Sequence, residues 1–93
     1  MPSRERPTDR AEFDAKRDLG LLGRELCMAR LTLGLTMAQV GRAAGVSGQQ
    51  VSRLEHGMLR RFDAVTLSRA LAAVGLVLSM RAFPTGVPIR DAG

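Results

Sequence analysis

Aromatic side chains are scarce in this sequence of 93 residues, where they make up 3% and include neither Trp nor Tyr. RNA-binding sheets and single-strand grooves stack bases on aromatic rings, so the scarcity argues against both. A single cysteine, Cys27, excludes an internal disulfide and fits a reducing compartment. No apolar run reaches the roughly 18 residues of a membrane span, and no signal peptide is visible. We therefore expect a cytoplasmic protein without a membrane partner.

Residues that support catalysis or bind metal ions are equally few. Besides Cys27 there is one histidine, His56, and neither has a second ligand or a catalytic partner at a suitable spacing. The sequence also has no glycine-rich loop that could hold phosphate groups. We expect no enzymatic activity, no metal and no cofactor.

Positive charge is abundant. The net charge is +5, and every basic residue except Lys16 is an arginine, 13 of 14 in all. Arginine makes planar, bidentate contacts with phosphate and guanine, although a GC-rich genome would produce the same bias. The 45% of hydrophobic residues is enough for one globular domain.

Two short helices joined by a tight turn are predicted between Thr36 and Gly57. Each begins with a capping box, formed by Thr36 with Gln39 and by Ser47 with Gln50. Gly45 and Gly57 follow them at positions where a left-handed residue ends a helix. Gly41 lies where the two helices would cross, and a larger side chain there would push them apart. This pattern predicts a helix-turn-helix unit, whose second helix fits a DNA major groove.

The segments on either side complete the prediction. Residues 1–17 contain two prolines and mixed charge, which favours a mobile leader that is helical at most near its end. Apolar spacing predicts a helix over 18–33 with Leu19, Leu22, Leu26, Ala29 and Leu33 on one face, and another over 64–74 whose apolar face includes Val65. Alternation over 76–83 predicts a strand, which would need a second copy or a missing segment as its partner.

The expected fold class is therefore all-α, with four predicted helices and one C-terminal β-strand. We divide the chain into a leader (1–17), a helix-turn-helix domain (18–75) and a C-terminal strand and tail (76–93). The tail would be a dimer contact or the start of a further segment.

Five features stand out along the chain, namely Arg30, LGLT at 33–36, GVS at 45–47, VSRLEHG at 51–57 and TL at 66–67. Together they resemble one family, the Cro/repressor-type (XRE) helix-turn-helix domain. The resemblance implies a repressor-like fold of four or five helices and binding to operator DNA, usually as a dimer. It also implies a salt bridge between Arg30 and Glu55. Two positions depart from the family: Met37 stands where a phosphate-clamping Gln is usual, and Gly48 where a polar side chain is usual.

A helix in the major groove reads bases from its N-terminal part. The candidate base contacts are Gln49, Gln50 and Arg53, since Gln pairs bidentately with adenine and Arg with guanine. Gln50 has capping as an alternative role, Gln49 an ordinary solvated position, and Arg53 a phosphate contact. Helix N-termini and nearby polar or basic groups bind phosphate, which gives the candidate backbone contacts Met37, Ala38, Arg42, Ser47, Arg60 and Arg61. For Arg60 and Arg61 an ordinary solvated loop is the alternative.

The leading hypothesis is a transcriptional regulator, such as a repressor, that binds double-stranded DNA by sequence as a homodimer. An antitoxin would combine the same activity with binding to a toxin partner, and only the neighbouring gene would separate the two. The third hypothesis is a protein-interaction module that has lost DNA binding, which Met37 and Gly48 favour.

Overall fold

A computed structural model of the protein describes residues 7–58 and 64–82. These residues form four helices and the segments that connect them. The helices are α1 (Pro7–Thr32), α2 (Met37–Ala44), α3 (Gly48–Glu55) and α4 (Ala64–Ala73). Helix α2 packs against both α3 and α4, and α1 packs against α3. The all-α prediction is confirmed for the described residues.

Helix α1 begins much earlier than predicted. It starts at Pro7 instead of Asp18, so 7–17, predicted as leader, is helical over its whole length. Proline suits the first position of a helix, because the amide it lacks would have no partner there. The mixed charges that suggested an unpacked leader are spaced as helical pairs, with Lys16 3.0 Å from Glu12 and Arg10 3.3 Å from Asp14.

Local capping signals place α2 and α3 as predicted. The Thr36 hydroxyl accepts from the Gln39 amide at 3.1 Å, and the Gln39 side chain accepts from the Thr36 amide at 2.8 Å. Ser47 and Gln50 form the same box at the start of α3. Gly45 and Gly57 have φ values of +78° and +66°, which glycine adopts without strain. Both predicted helices of the unit are confirmed.

The core lies between α2, α3 and α4, with Leu26 inserted from α1. Its most deeply buried large side chains are Leu26, Val40, Val51 and Leu67. Two residues predicted on core faces, Leu33 and Val65, are instead exposed. Leu33 lies after the last residue of α1, and Val65 lies in the first turn of α4, so neither completes its helical face.

Two glycines allow helices to approach closely. A Cβ on Gly41 would lie 2.6 Å from the Val46 carbonyl oxygen, which confirms the crossing predicted there. A Cβ on Gly23 would overlap the carbonyl oxygen of Leu54 and lie 2.7 Å from that of Glu55. Gly23 therefore lets α1 cross the C-terminal end of α3, a contact that the sequence did not reveal.

The predicted C-terminal strand is not confirmed. Residues 76–82 have no regular secondary structure, and residue 83 lies outside the described part of the chain. Leu76 and Leu78 pack against the core while Val77 and Met80 are exposed. Burial therefore alternates only over 76–78, because Met80 would share the face of Leu76 and Leu78 but is exposed. A strand also needs a hydrogen-bonded neighbour, and the described residues of one chain supply none for this segment.

Candidate nucleic-acid interface

The N-terminal ends of α2 and α3 lie side by side. A Cβ on Gly48 would be 3.2 Å from the Ala38 amide nitrogen, so the first turns of the two helices nearly touch. The first amides of a helix have no partner within it, and the helix dipole makes this end positive. Two such ends on one surface suit a phosphate group.

Gly48 has a structural role at this contact. The 3.2 Å distance from its hypothetical Cβ to Ala38 is tighter than an ordinary van der Waals contact, so a larger residue would shift the first turn of α3 away from α2. The family's polar side chain at this position is absent, and closer packing of the two helix ends takes its place.

Met37 also serves packing more than binding. Its side chain is half-buried and packs against the core. The thioether offers only a weak acceptor, so any phosphate contact at this position belongs to the backbone amide. The neighbouring Ala38 is exposed, as is Arg42 farther along α2.

The candidate base contacts of α3 are not equally available. Gln49 and Arg53 are exposed, and Arg53 forms no ion pair with any described residue. Gln50 is exposed too, but its Oε1 accepts from the Ser47 amide at 2.9 Å. A bidentate contact with adenine uses both the oxygen and the amino group of the side chain, and the capping bond already holds this oxygen at the start of α3, so Gln50 is less available for base contact than Gln49 and Arg53.

Ser47 is likewise engaged in capping, since its hydroxyl accepts from the Gln50 amide at 3.1 Å. The hydroxyl can still donate its own hydrogen to a phosphate oxygen. Arg60 and Arg61, the two candidates in the segment after α3, lie outside the described residues.

An ion pair fixes α3 to α1. Arg30 and Glu55 come together in a bidentate contact, with Nε 2.7 Å from Oε2 and Nη2 3.0 Å from Oε1. Both residues are buried, and Arg30 Nη1 also donates to the Leu35 carbonyl at 3.0 Å. The guanidinium thus joins α1, the segment before α2 and the end of α3, so the orientation of α3 depends on it.

The electrostatics of this pair extend to Cys27. Burial by itself would raise the pKa of Glu55, but hydrogen bonds from Arg30 and Cys27 and the charge of Arg30 together hold it below its usual value. The hydrogen bond to Glu55 and then desolvation raise the pKa of the Cys27 thiol. Cys27 is therefore a protonated donor beside the ion pair, and its thiolate is disfavoured.

Two further contacts were not visible in the sequence pattern. The Arg69 guanidinium of α4 lies at the turn between α2 and α3, 3.2 Å from where a Cβ on Gly45 would be. His56 Nδ1 lies 2.7 Å from the Ser52 carbonyl oxygen, a bond in which the ring N–H donates. The first depends on the fold, because Arg69 and Gly45 are far apart in the sequence, whereas the second is a local bond within one helical turn.

Metal sites and membrane-spanning helices were also sought among the described residues. Within 7–58 and 64–82 no group of three or more His, Cys, Asp or Glu side chains is placed to hold a metal ion. No helix in the same ranges combines the length and apolarity needed to cross a membrane.

Comparison with known proteins agrees with this geometry. Residues 21–83, more than half of the chain, match the helix-turn-helix domain family. The match starts within α1 and covers α2, α3 and α4. No curated protein and no solved structure gives a significant match. The chain belongs to the helix-turn-helix domain family, in keeping with its resemblance to the Cro/repressor type.

Proposed function

We propose that the protein is a DNA-binding transcriptional regulator that reads the major groove with α3. The observation that carries this proposal is the pairing of two capped helix N-termini, those of α2 and α3, beside the exposed side chains of Gln49 and Arg53. The helix ends supply phosphate contacts that fix the position on the duplex, and the side chains supply base contacts.

The division of roles follows from the hydrogen bonds. Gln49 and Arg53 carry the direct readout, because Gln50 is occupied as a cap. Arg42, Ser47 and the amides of Met37 and Ala38 contact the backbone, and Arg60 and Arg61 remain proposed contacts from the sequence. Each good bidentate pair contributes about 1–3 kcal/mol of discrimination between bases. The domain that does this work spans 18–75, and α1 extends beyond it.

Two experiments test the proposal. Bound duplexes are first selected from a random pool, and binding to the most enriched sequence is then measured as a function of salt concentration. Binding by several cationic groups weakens steeply as salt rises, because each phosphate contact releases counterions. Arg53→Ala should flatten the preference at one position of the selected site, whereas Arg42→Ala should weaken all sequences alike and lower the salt slope by about one unit.

Lys16→Ala provides the matched control. It removes the same unit of charge from an exposed position on α1 that pairs with Glu12, far along the helix from the turn unit. The control should leave both the preference and the salt slope unchanged. No enriched sequence, together with no duplex binding at low salt, would overturn the proposal.

A protein-interaction module is the second candidate. The half-buried Met37 and the closely packed Gly48 favour it, because both replace polar groups at the surface that would contact DNA. An antitoxin would combine the two activities, with a toxin as the protein partner. Duplex binding that stays flat across the salt titration would support the module over the regulator.

A further inference from the structure

Helix α1 has an apolar face that the core does not cover. Leu19, Leu22 and Leu26 point toward the rest of the domain. On the opposite side of the helix, four large apolar side chains are 54–62% exposed, namely Phe13, Leu21, Met28 and Leu31. Their spacings of eight, seven and three residues keep them on one face of a helix.

Three arginines share this face. Arg10, Arg17 and Arg24 are seven residues apart, which is about two helical turns, so they alternate with the apolar residues along the same line. We call these three arginines and the four apolar residues the outer stripe. Aromatic residues, Met and Arg are the types enriched at protein interfaces, and here they lie together on an exposed helix face.

The outer stripe borders a groove. Its volume is about 540 Å³, and it lies between α1 and the C-terminal end of α3, where Arg17, Leu21 and Arg24 face His56. Arg17 contacts Asp14 and Asp18 at 3.5 Å in exposed pairs, which contribute little to stability and exchange readily. Arg24 forms no ion pair within the described residues, and the carboxylate that lines the groove, Glu55, is already bonded to Arg30.

The geometry points to the outer stripe and its groove as a docking surface for a protein partner that presents an acidic amphipathic helix. The apolar side chains of that helix would cover Leu21 and Met28, and its carboxylates would pair with Arg24 and Arg17. Helix-in-groove recognition uses this combination of apolar anchors at helical spacing with flanking charge pairs.

Two other occupants fit less well. In a symmetric contact the same patch meets itself, so a second copy would add three more arginines to the contact, while the nearby Asp14 is already engaged by Arg10 and Arg17. A membrane-surface helix carries its basic residues on the face opposite its apolar one, but here the arginines lie within the apolar line.

The surface is separate from the proposed DNA contacts. The groove is lined by Glu55 and His56 at the C-terminal end of α3. Neither proposed base contact, Gln49 or Arg53, lines it, although Arg53 lies only two residues before Glu55. The docking proposal therefore stands whether or not the protein binds DNA.

Nuclear magnetic resonance titration of the full chain tests it. The probe is a synthetic acidic amphipathic helix of Leu, Ala and Glu, and the control peptide has Lys in place of every Glu. We expect saturable shifts of the amides of Leu21, Arg24, Met28 and His56 with the acidic peptide only. Leu21→Ser and Arg24→Ser should each weaken binding about tenfold, and Lys16→Ser should not.

Each alternative outcome would overturn the proposal. These are equal binding of the Lys peptide, full affinity in Leu21→Ser, or shifts confined to the first turns of α2 and α3. A concentration-dependent dimer that Leu21→Ser dissociates would assign the stripe to a second copy. Binding to phosphatidylglycerol vesicles without binding to the acidic peptide would assign it to a lipid surface.

Discussion

Gly23 and Gly20 are one helical turn apart in α1, yet they face different surroundings. A Cβ on Gly23 would overlap the Leu54 carbonyl oxygen, whereas a Cβ on Gly20 would meet nothing within 4 Å. Gly23→Ala must push α1 away from the end of α3, and such overpacking costs about 1–3 kcal/mol. We expect the free energy of unfolding in urea to fall by that amount.

Gly20→Ala is the matched control for this prediction. The added methyl finds open space, and alanine favours a helix over glycine by about 1 kcal/mol. The free energy of unfolding should therefore rise for Gly20→Ala while it falls for Gly23→Ala. If both substitutions stabilise the protein, the close crossing of α1 and α3 is not present in solution.

Residues with local roles were predictable, and residues with distant partners were not. The capping side chains Thr36 and Ser47 bond within three residues of themselves, so spacing alone reveals them. Gly41 was predictable because its neighbours, Val46 and Ser47, lie just beyond the turn. Gly23 meets residues more than thirty positions away, and no local pattern encodes that contact. The sequence alone could not show whether Gln50 caps α3 or contacts a base. Its hydrogen bond with the Ser47 amide shows that it caps the helix.

At the scale of elements, the ion pair between Arg30 and Glu55 connects α1 to α3. Glu55→Gln would leave the charge of Arg30 buried without a counter-charge, because its side chain is only 10% exposed. Loss of one partner of a buried pair costs about 3–5 kcal/mol. Asp14→Asn, which affects only exposed pairs of α1, should cost less than about 1 kcal/mol. Urea unfolding of the two variants near neutral pH measures this difference.

The same pair gives the stability a dependence on pH. The pKa of Glu55 is lower in the folded protein than its ordinary value, so the folded state favours the carboxylate. This contribution is fully present above the ordinary pKa of glutamate and is lost as the pH falls through the folded value. The stability gap between the wild type and Glu55→Gln should therefore narrow in acid. A gap that widens below the ordinary glutamate pKa would contradict this assignment.

The length of α1 shows where element prediction failed. Prolines and mixed charge before residue 18 suggested a leader, but the acids and bases from Arg10 to Arg17 stand three and four residues apart. Such pairs stabilise a helix by about 0.2–0.5 kcal/mol each without any apolar face toward the core, and apolar periodicity was the signal used to locate helices. The C-terminal strand stays unconfirmed for a different reason, since its predicted partner was a second copy or a further segment and no neighbouring strand lies in the described residues.

At the scale of the molecule, one copy of the protein can contact only a few base pairs. Helix α3 has eight residues and is about 12 Å long, which spans three to four base pairs at about 3.4 Å each. Two readout side chains, Gln49 and Arg53, give about 2–6 kcal/mol of discrimination together. Specific regulators typically reach about 4–10 kcal/mol. One copy reaches only the lower part of that range, whereas two copies on a two-fold site would give about 4–12 kcal/mol and cover it. This is the reason to propose a homodimer.

The exposed residues of 76–82 are the proposed contact between those copies. Val77 is 90% and Met80 64% exposed, while Leu76 and Leu78 pack against the core of their own chain. Val77→Ser with Met80→Ser removes the outward apolar surface and keeps the inward pair, so the fold should survive. Sedimentation should show a dimer for the wild type and a monomer for the variant. Met28→Ser, on the outer stripe of α1, should remain dimeric. A dimer that survives the double substitution but dissociates with Met28→Ser would move the two-fold contact to α1.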